Sequence, residues 1–164
     1  MPQDGGKMNN RILRKILLLV TVLMVVFAMA SCKKKEEGIK TTVSIDVSKI
    51  FDHEADLNKD KADFVPEDGM ILKKVTVVIG KDSNALDQLR EACEDNDVQI
   101  EVSESQYGKF VDGLGQIYSG DCGEWSGWMF KVNGKWAELG ADATVLNEND
   151  EVEWVFVCDY NTDM

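Results

Sequence analysis

The sequence predicts an α+β domain in which one helix packs on a mixed, largely antiparallel sheet. Three observations predict it. Strand-like apolar runs recur at residues 41–47, 70–79, 98–102 and 151–158. Only residues 83–96 carry apolar positions at helical spacing. Asn133-Gly134, a pair that tolerates the positive φ angles of a tight hairpin, separates two further strand-like runs.

The elements follow in order. T-T-V-S-I-D-V alternates strictly and places Val43, Ile45 and Val47 on one face of a half-buried strand. Residues 52–69 are polar, contain Pro66 and Asp68-Gly69, and read as a connecting loop. Met70 to Ile79 is a strong strand, ended by Gly80. Asp82 or Ser83 is expected to cap the helix by accepting a hydrogen bond from an orphan N–H. Ala85, Leu86, Leu89, Ala92 and Cys93 then form its apolar side. Residues 98–102 make a short strand, and residues 103–126, broken by glycines, read as a long irregular segment. The hairpin is expected to pair Val132 with Lys135, Phe130 with Ala137 and Trp128 with Leu139. The last strand, Glu151 to Cys158, sets Val152, Trp154 and Phe156 on one face. Strand, strand, helix, strand, hairpin, strand is an order that suits a β-grasp arrangement, a sheet curled around one helix.

The N-terminus predicts export. Lys7, Arg11, Arg14 and Lys15 precede an apolar run of fifteen residues, Ile16 to Ala30, shorter than the roughly 20 that span a membrane. The run leads into M-A-S-C, which resembles a bacterial lipobox with Cys32 as the lipidated residue. Residues 1–31 therefore read as a lipoprotein signal peptide, 32–40 as a charged tether and 41–164 as a single domain. Lys33, Lys34 and Lys35 would hold that tether against anionic headgroups.

Charge narrows the partners. The chain has 18 basic and 30 acidic residues for a net charge of −12, and the signal carries four of the basic ones and one acidic one. What remains is strongly acidic and lacks the basic footprint that nucleic acid needs. Catalysis is not expected. The single histidine, His53, sits between Asp52 and Glu54 with no nucleophile near it in sequence. Asp56, Asn58, Asp60 and Glu67 stand at positions 1, 3, 5 and 12 of an EF-hand-like spacing. Lys61 occupies the sixth position where glycine makes the sharp turn, so the loop reads as solvated and no metal site is expected. Cys93, Cys122 and Cys158 allow one bridge with one thiol left over, and no Cys-x-x-Cys spacing suggests zinc.

Binding is the remaining chemistry. The hairpin pairing gives Trp128, Phe130, Val132, Ala137 and Leu139 one apolar face, read as core. Met129, Lys131, Trp136 and Glu138 take the other. Trp136 on that polar face and Trp125 in the glycine-rich approach are poor core candidates, and exposed tryptophans suit stacking on a flat ligand or partner. Trp125, Gly127, Met129 and Trp136 are thus the candidate binding residues, with the glycine backbone from 120 to 127 permitting close approach.

V-P-E-D-G-M-I-L, S-N-A-L-D-Q-L, D-C-G-E-W-S-G-W-M-F-K-V-N-G and E-V-E-W-V-F-V-C-D together resemble the transcobalamin-like C-terminal domain family of bacterial surface proteins, over about residues 42–159. That resemblance implies a β-grasp fold related to ligand-binding domains. It also implies a disulfide between Cys122 and Cys158, the first preceding the hairpin and the second ending the last strand. Members commonly carry another cysteine where this chain has Val47, which implies that Cys93 is unpaired. The function expected is a lipid-anchored extracytoplasmic binding protein that captures a small ligand, cobalamin-like or corrinoid-like, for a membrane permease. A cell-surface module that meets a protein or glycan is the alternative. No resident cofactor and no nucleic-acid partner are expected.

Overall fold

The computed structural model describes residues 38–106 and 108–164. The expected signal peptide, the expected lipidation residue Cys32 and most of the expected tether lie outside the described residues. Eight strands, β1 Ile39–Asp46, β2 Met70–Ile79, β3 Ile100–Ser105, β4 Gly108–Leu114, β5 Ile117–Tyr118, β6 Gly127–Val132, β7 Lys135–Trp136 and β8 Glu151–Val157, are accompanied by helix α1, Ala85–Asp95, and a closing turn of helix, α2, Tyr160–Asp163. Short 3₁₀ segments, Ser48–Asp52 and Lys59–Phe64, fill the connection between β1 and β2. The architecture is α+β, as expected.

Five strands form a mixed sheet in the order β2-β1-β8-β6-β7. The first and last long strands, β1 and β8, pair in parallel at its centre, with Ile45 opposite Trp154. The other pairings in this sheet are antiparallel. Strands β3, β4 and β5 form a second, antiparallel sheet. Helix α1 packs against β1 and β2. Val43, Ile45, Val47, Leu86, Leu89, Val152, Trp154 and Phe156 share one core. Burying each such side chain contributes about 1.5–3 kcal/mol before chain entropy is charged against it.

One polar residue enters that core. Gln88 on α1 is fully buried and donates through Nε2 to Thr41 Oγ1 at 2.6 Å and to the Thr42 carbonyl at 3.2 Å, tying helix to sheet.

Three expectations are corrected. Residues 103–126, read as irregular, supply the end of β3 and all of β4 and β5. Their glycines are packing devices rather than breaks: a Cβ on Gly113 would lie 2.5 Å from the Tyr118 ring of the neighbouring strand. The helix cap is Asn84, not Asp82 or Ser83. Asn84 Oδ1 accepts from Asp87 N at 2.9 Å and Asp87 answers at Asn84 N, closing a capping box. Asp82 instead has φ 70° in the preceding turn. Finally, the hairpin return ends at Trp136. Asn133 and Gly134 adopt φ 53° and 76° as the turn requires, and Ala137 N still bonds the Phe130 carbonyl at 3.0 Å. Beyond that point the chain leaves the sheet, so Leu139 never reaches Trp128 and is 63% exposed instead of buried.

Candidate functional site

The departure of the chain after Trp136 opens a groove. Its floor comes from the register of β6 and β8, which sets Phe130 opposite Trp154 and Trp128 opposite Phe156. The Phe130 and Trp154 rings stack with centroids 4.9 Å apart and planes 25° apart. Trp128 meets Phe156 edge-on at 5.2 Å and 64°. Both are favoured aromatic geometries. Trp128 Nε1 donates to the Ile117 carbonyl at 3.0 Å, which binds the second sheet to the first. Trp154 Nε1 is buried without a hydrogen-bond partner among the described residues.

Phe110 and Val111 of β4 form one wall and the segment from Ala137 to Ala141 the other, enclosing about 240 Å³. Asp142 holds the walls in place: its Oδ2 accepts from Lys109 N at 3.2 Å, at the start of β4. Phe110, 49% exposed, and Leu139 stand at the rim. Apolar side chains at a groove mouth, over an aromatic floor, suit a flat apolar group that slides between them.

A second cavity, of about 460 Å³, lies among three loops, His53–Asp56, Cys122–Trp125 and Cys158–Asn161. Behind it Asp163, its side chain 3% exposed, accepts from Cys158 N at 2.8 Å and Asp159 N at 2.9 Å. His53 Nε2 faces it at 3.4 Å and Lys49 Nζ at 4.0 Å. Burial alone would raise the Asp163 carboxyl, but the backbone N–H groups of Asp159 and Cys158, with His53, outweigh it and hold the group below the ordinary carboxylate range. His53, the lone histidine, thus serves as a partner to a buried carboxylate.

Cys122 and Cys158 are buried free thiols side by side, hydrogen-bonded to one another, so the expected bridge is not formed in this structure. Cys122 Sγ also donates to the His53 carbonyl at 3.6 Å. Burial pushes the Cys122 thiol up, against the hydrogen bond with Cys158. Burial, joined by that same bond, pushes Cys158 up strongly. Cys93 is free on the buried side of α1, its thiol pushed up to about 11 by burial.

The candidate binding residues are distributed rather than gathered. Met129 lines the groove. Trp125, 75% exposed, lines the second cavity. Trp136 lines neither; Lys131 Nζ sits over its ring, 4.5 Å from the centroid. Gly127 is buried where a Cβ would come within 3.3 Å of Ser119 Oγ, a packing role. Within the Asp56–Glu67 segment Asn58 caps the 3₁₀ segment Lys59–Phe64, its Oδ1 accepting from Asp60 N at 3.2 Å. Lys61 reaches out of it to the Gln116 carbonyl at 2.8 Å and Asp121 at 3.3 Å. Among the described residues no group of three or more His, Cys, Asp and Glu is placed to hold a metal ion. No sequence pattern marks Phe110, Leu139 and Trp154 as a site; the apolar face shared by Trp128 and Phe130 is the visible signal, and alone it reads as sealed core.

No curated protein sequence matches the chain. A crystal structure of a Ruminococcus gnavus protein described as a candidate metal-binding protein is similar at 16% identity and TM-score 0.44, covering 74% of this chain and 99% of that one. Haptocorrin, in a crystal structure of its complex with Cbi, is similar at 17% identity and TM-score 0.49, covering 76% of this chain. The chain spans only 27% of haptocorrin's length. Residues 82–157, from the turn before α1 to the end of β8, match the family described as a domain of unknown function, DUF4430.

Proposed function

We propose that the protein is a lipid-anchored, extracytoplasmic binding protein that takes a small, flat, largely apolar group into the groove over Phe130 and Trp154 and passes its ligand to a membrane permease. The observation that carries this is the groove itself. An aromatic floor with Phe110 and Leu139 exposed at its mouth leaves apolar surface in water that a ligand would cover. Its volume, about 240 Å³, is below the roughly 300–1,000 Å³ of sites that engulf a whole ligand. A corrinoid would therefore be gripped by an edge, with a second surface completing the site. The same reading takes Cys32 as the acylated anchor, β2-β1-β8-β6-β7 with α1 on its face as a β-grasp arrangement, and Cys122 and Cys158 as oxidised to a disulfide after export.

The test is tryptophan fluorescence of the full chain in non-ionic detergent, titrated with cobinamide and with 2-acetylnaphthalene as a groove-sized probe. Saturable quenching that weakens at least about threefold in Phe110→Ala supports the reading. Absence of saturable quenching by either compound, with the fold verified by circular dichroism, refutes it. The same apolar rim would be covered equally well by a partner protein's side chain, which favours a surface interaction module as the second reading. That reading expects Leu139→Ser to abolish capture of an envelope protein and expects no quenching by either small molecule.

A further inference from the structure

The second cavity is chemically unlike the groove and calls for a different occupant. Two aromatic side chains stand at it with much of their surface in water: Trp125 and Tyr160, the latter 43% exposed. Three carboxylates line it, Asp56, Glu124 and Asp159. No Lys or Arg lines the cavity, and none of these three carboxylates has an ion-pair partner among the described residues. The one basic ring present, His53, is turned to Asp163, a fourth carboxylate that lies behind the cavity with its own donors. A cavity of about 460 Å³ thus carries unneutralised negative charge on a chain that is already acidic.

The carboxylates do not converge as metal ligands do. Metal ions need several oxygens at one point, whereas an organic cation spreads its charge over a larger, partly apolar surface. Aromatic faces attract such a cation through the ring quadrupole and shelter its methyl groups, and surrounding carboxylates add long-range attraction. Asp159 Oδ1 does accept from Asn161 N at 2.8 Å and Asn161 Nδ2 at 3.1 Å, but neutral donors leave its charge in place. Exposed tryptophan and tyrosine beside carboxylates with no ion-pair partner among the described residues is the combination that this chemistry needs.

We propose that the cavity bounded by Asp56, Glu124, Trp125, Asp159 and Tyr160 is a binding site for a small organic cation, a substituted ammonium group held against the Trp125 and Tyr160 rings. It is independent of the groove over Phe130, so either site can be lost without the other.

The experiment uses the full chain in non-ionic detergent, labelled with 5-fluorotryptophan so that Trp125, Trp128, Trp136 and Trp154 report separately by fluorine NMR. Choline is the probe, 3,3-dimethylbutanol is its uncharged isostere, and calcium is the metal control. The expected result is a saturable shift of the Trp125 resonance with choline, while the Trp128 and Trp154 signals of the groove stay in place. The isostere should bind at least about tenfold more weakly. Glu124→Gln combined with Asp159→Asn should weaken choline by about tenfold, and salt should weaken it further. A Trp125 signal that does not respond to choline overturns the proposal. So does an equal response to the isostere, which would mark an apolar patch, or a calcium response that choline cannot displace, which would mark a metal site.

Discussion

Phe130 and Trp154 lie directly opposite one another across β6 and β8, with ring centroids 4.9 Å apart, and one of the two carries a buried N–H with no acceptor among the described residues. The stack is both the floor of the groove and part of the core, so its two halves should respond differently to truncation. Phe130→Ala removes a ring and leaves a cavity, and should cost about 3–5 kcal/mol of stability. Trp154→Phe also loses volume, but it removes a buried donor whose unpaired state costs about 1–3 kcal/mol. We expect the second change to be at least about 1.5 kcal/mol milder than the first. Urea denaturation followed by far-ultraviolet circular dichroism measures both, and equal losses would contradict the assignment of the indole N–H as unpaired.

Asp163 should make the fold acid-sensitive. Its folded-state pKa is depressed below the ordinary 3.8, so it contributes stability at pH values above 3.8. That contribution is lost as pH falls through 3.8 toward the lower folded value, because protonation removes the negative charge that strengthens the bonds from Cys158 N and Asp159 N. Urea midpoints measured between pH 6 and pH 3 should fall more steeply for the wild type than for Asp163→Asn. The variant should be less stable at pH 6 and converge on the wild type at the acid end.

The two thiols of the second cavity should be slow to react and then stabilising. Cys122 and Cys158 both have raised pKa values, so neither is a thiolate at neutral pH, and thiolate is the reactive form. Air or glutathione oxidation should therefore accelerate about tenfold per pH unit between pH 7 and 9. Once formed, the bridge would tie the approach to β6 to the end of β8, and the chain-entropy estimate for a loop of this length is about 3–4 kcal/mol. Comparing oxidised and reduced protein in urea measures this, with Cys122→Ser showing no difference between the two conditions. Thiol titration of the oxidised, unfolded chain should still find Cys93.

Much of this arrangement is legible in the chain, and the parts that are not have physical reasons. Val43 and Ile45 announce β1 by their alternation, and Asn133-Gly134 announces the β6–β7 turn, because each of those signals is local. Strands β4 and β5 are hidden because Gly113 and Gly115, which ordinarily read as breaks, are demanded by close neighbours. A Cβ would meet Tyr118 at 2.5 Å and Ile71 at 2.9 Å respectively. The helix start is ambiguous because Asp82, Ser83 and Asn84 are all competent caps, and only the positive φ of Asp82 and the reach of Asp87 select Asn84. The groove is the hardest case. Pairing across the hairpin correctly gives Trp128 and Phe130 a common face, both less than a tenth exposed. Whether that face is closed depends on where the chain leaves the sheet after Trp136 and on the Asp142 bond to Lys109, 33 residues away in sequence. No local pattern encodes that distance.

The rim of the groove should separate binding from folding. Phe110 and Leu139 are largely in water, so replacing either with a smaller residue removes little buried area and should change stability by no more than about 0.5 kcal/mol. The same replacements remove the two side chains that would close over a flat ligand. Phe110→Ala and Leu139→Ser should each weaken 2-acetylnaphthalene by about three- to tenfold, and the double variant by roughly the product, since the two sit on opposite walls. Asp142→Asn weakens the acceptor that holds Lys109 N and lets the walls separate, so it should weaken the probe while leaving the Phe130–Trp154 floor intact. Fluorescence titration gives the affinities, and urea denaturation of the same samples gives the stabilities. Rim variants that lose stability in proportion to affinity would mean that Phe110 and Leu139 belong to the core after all.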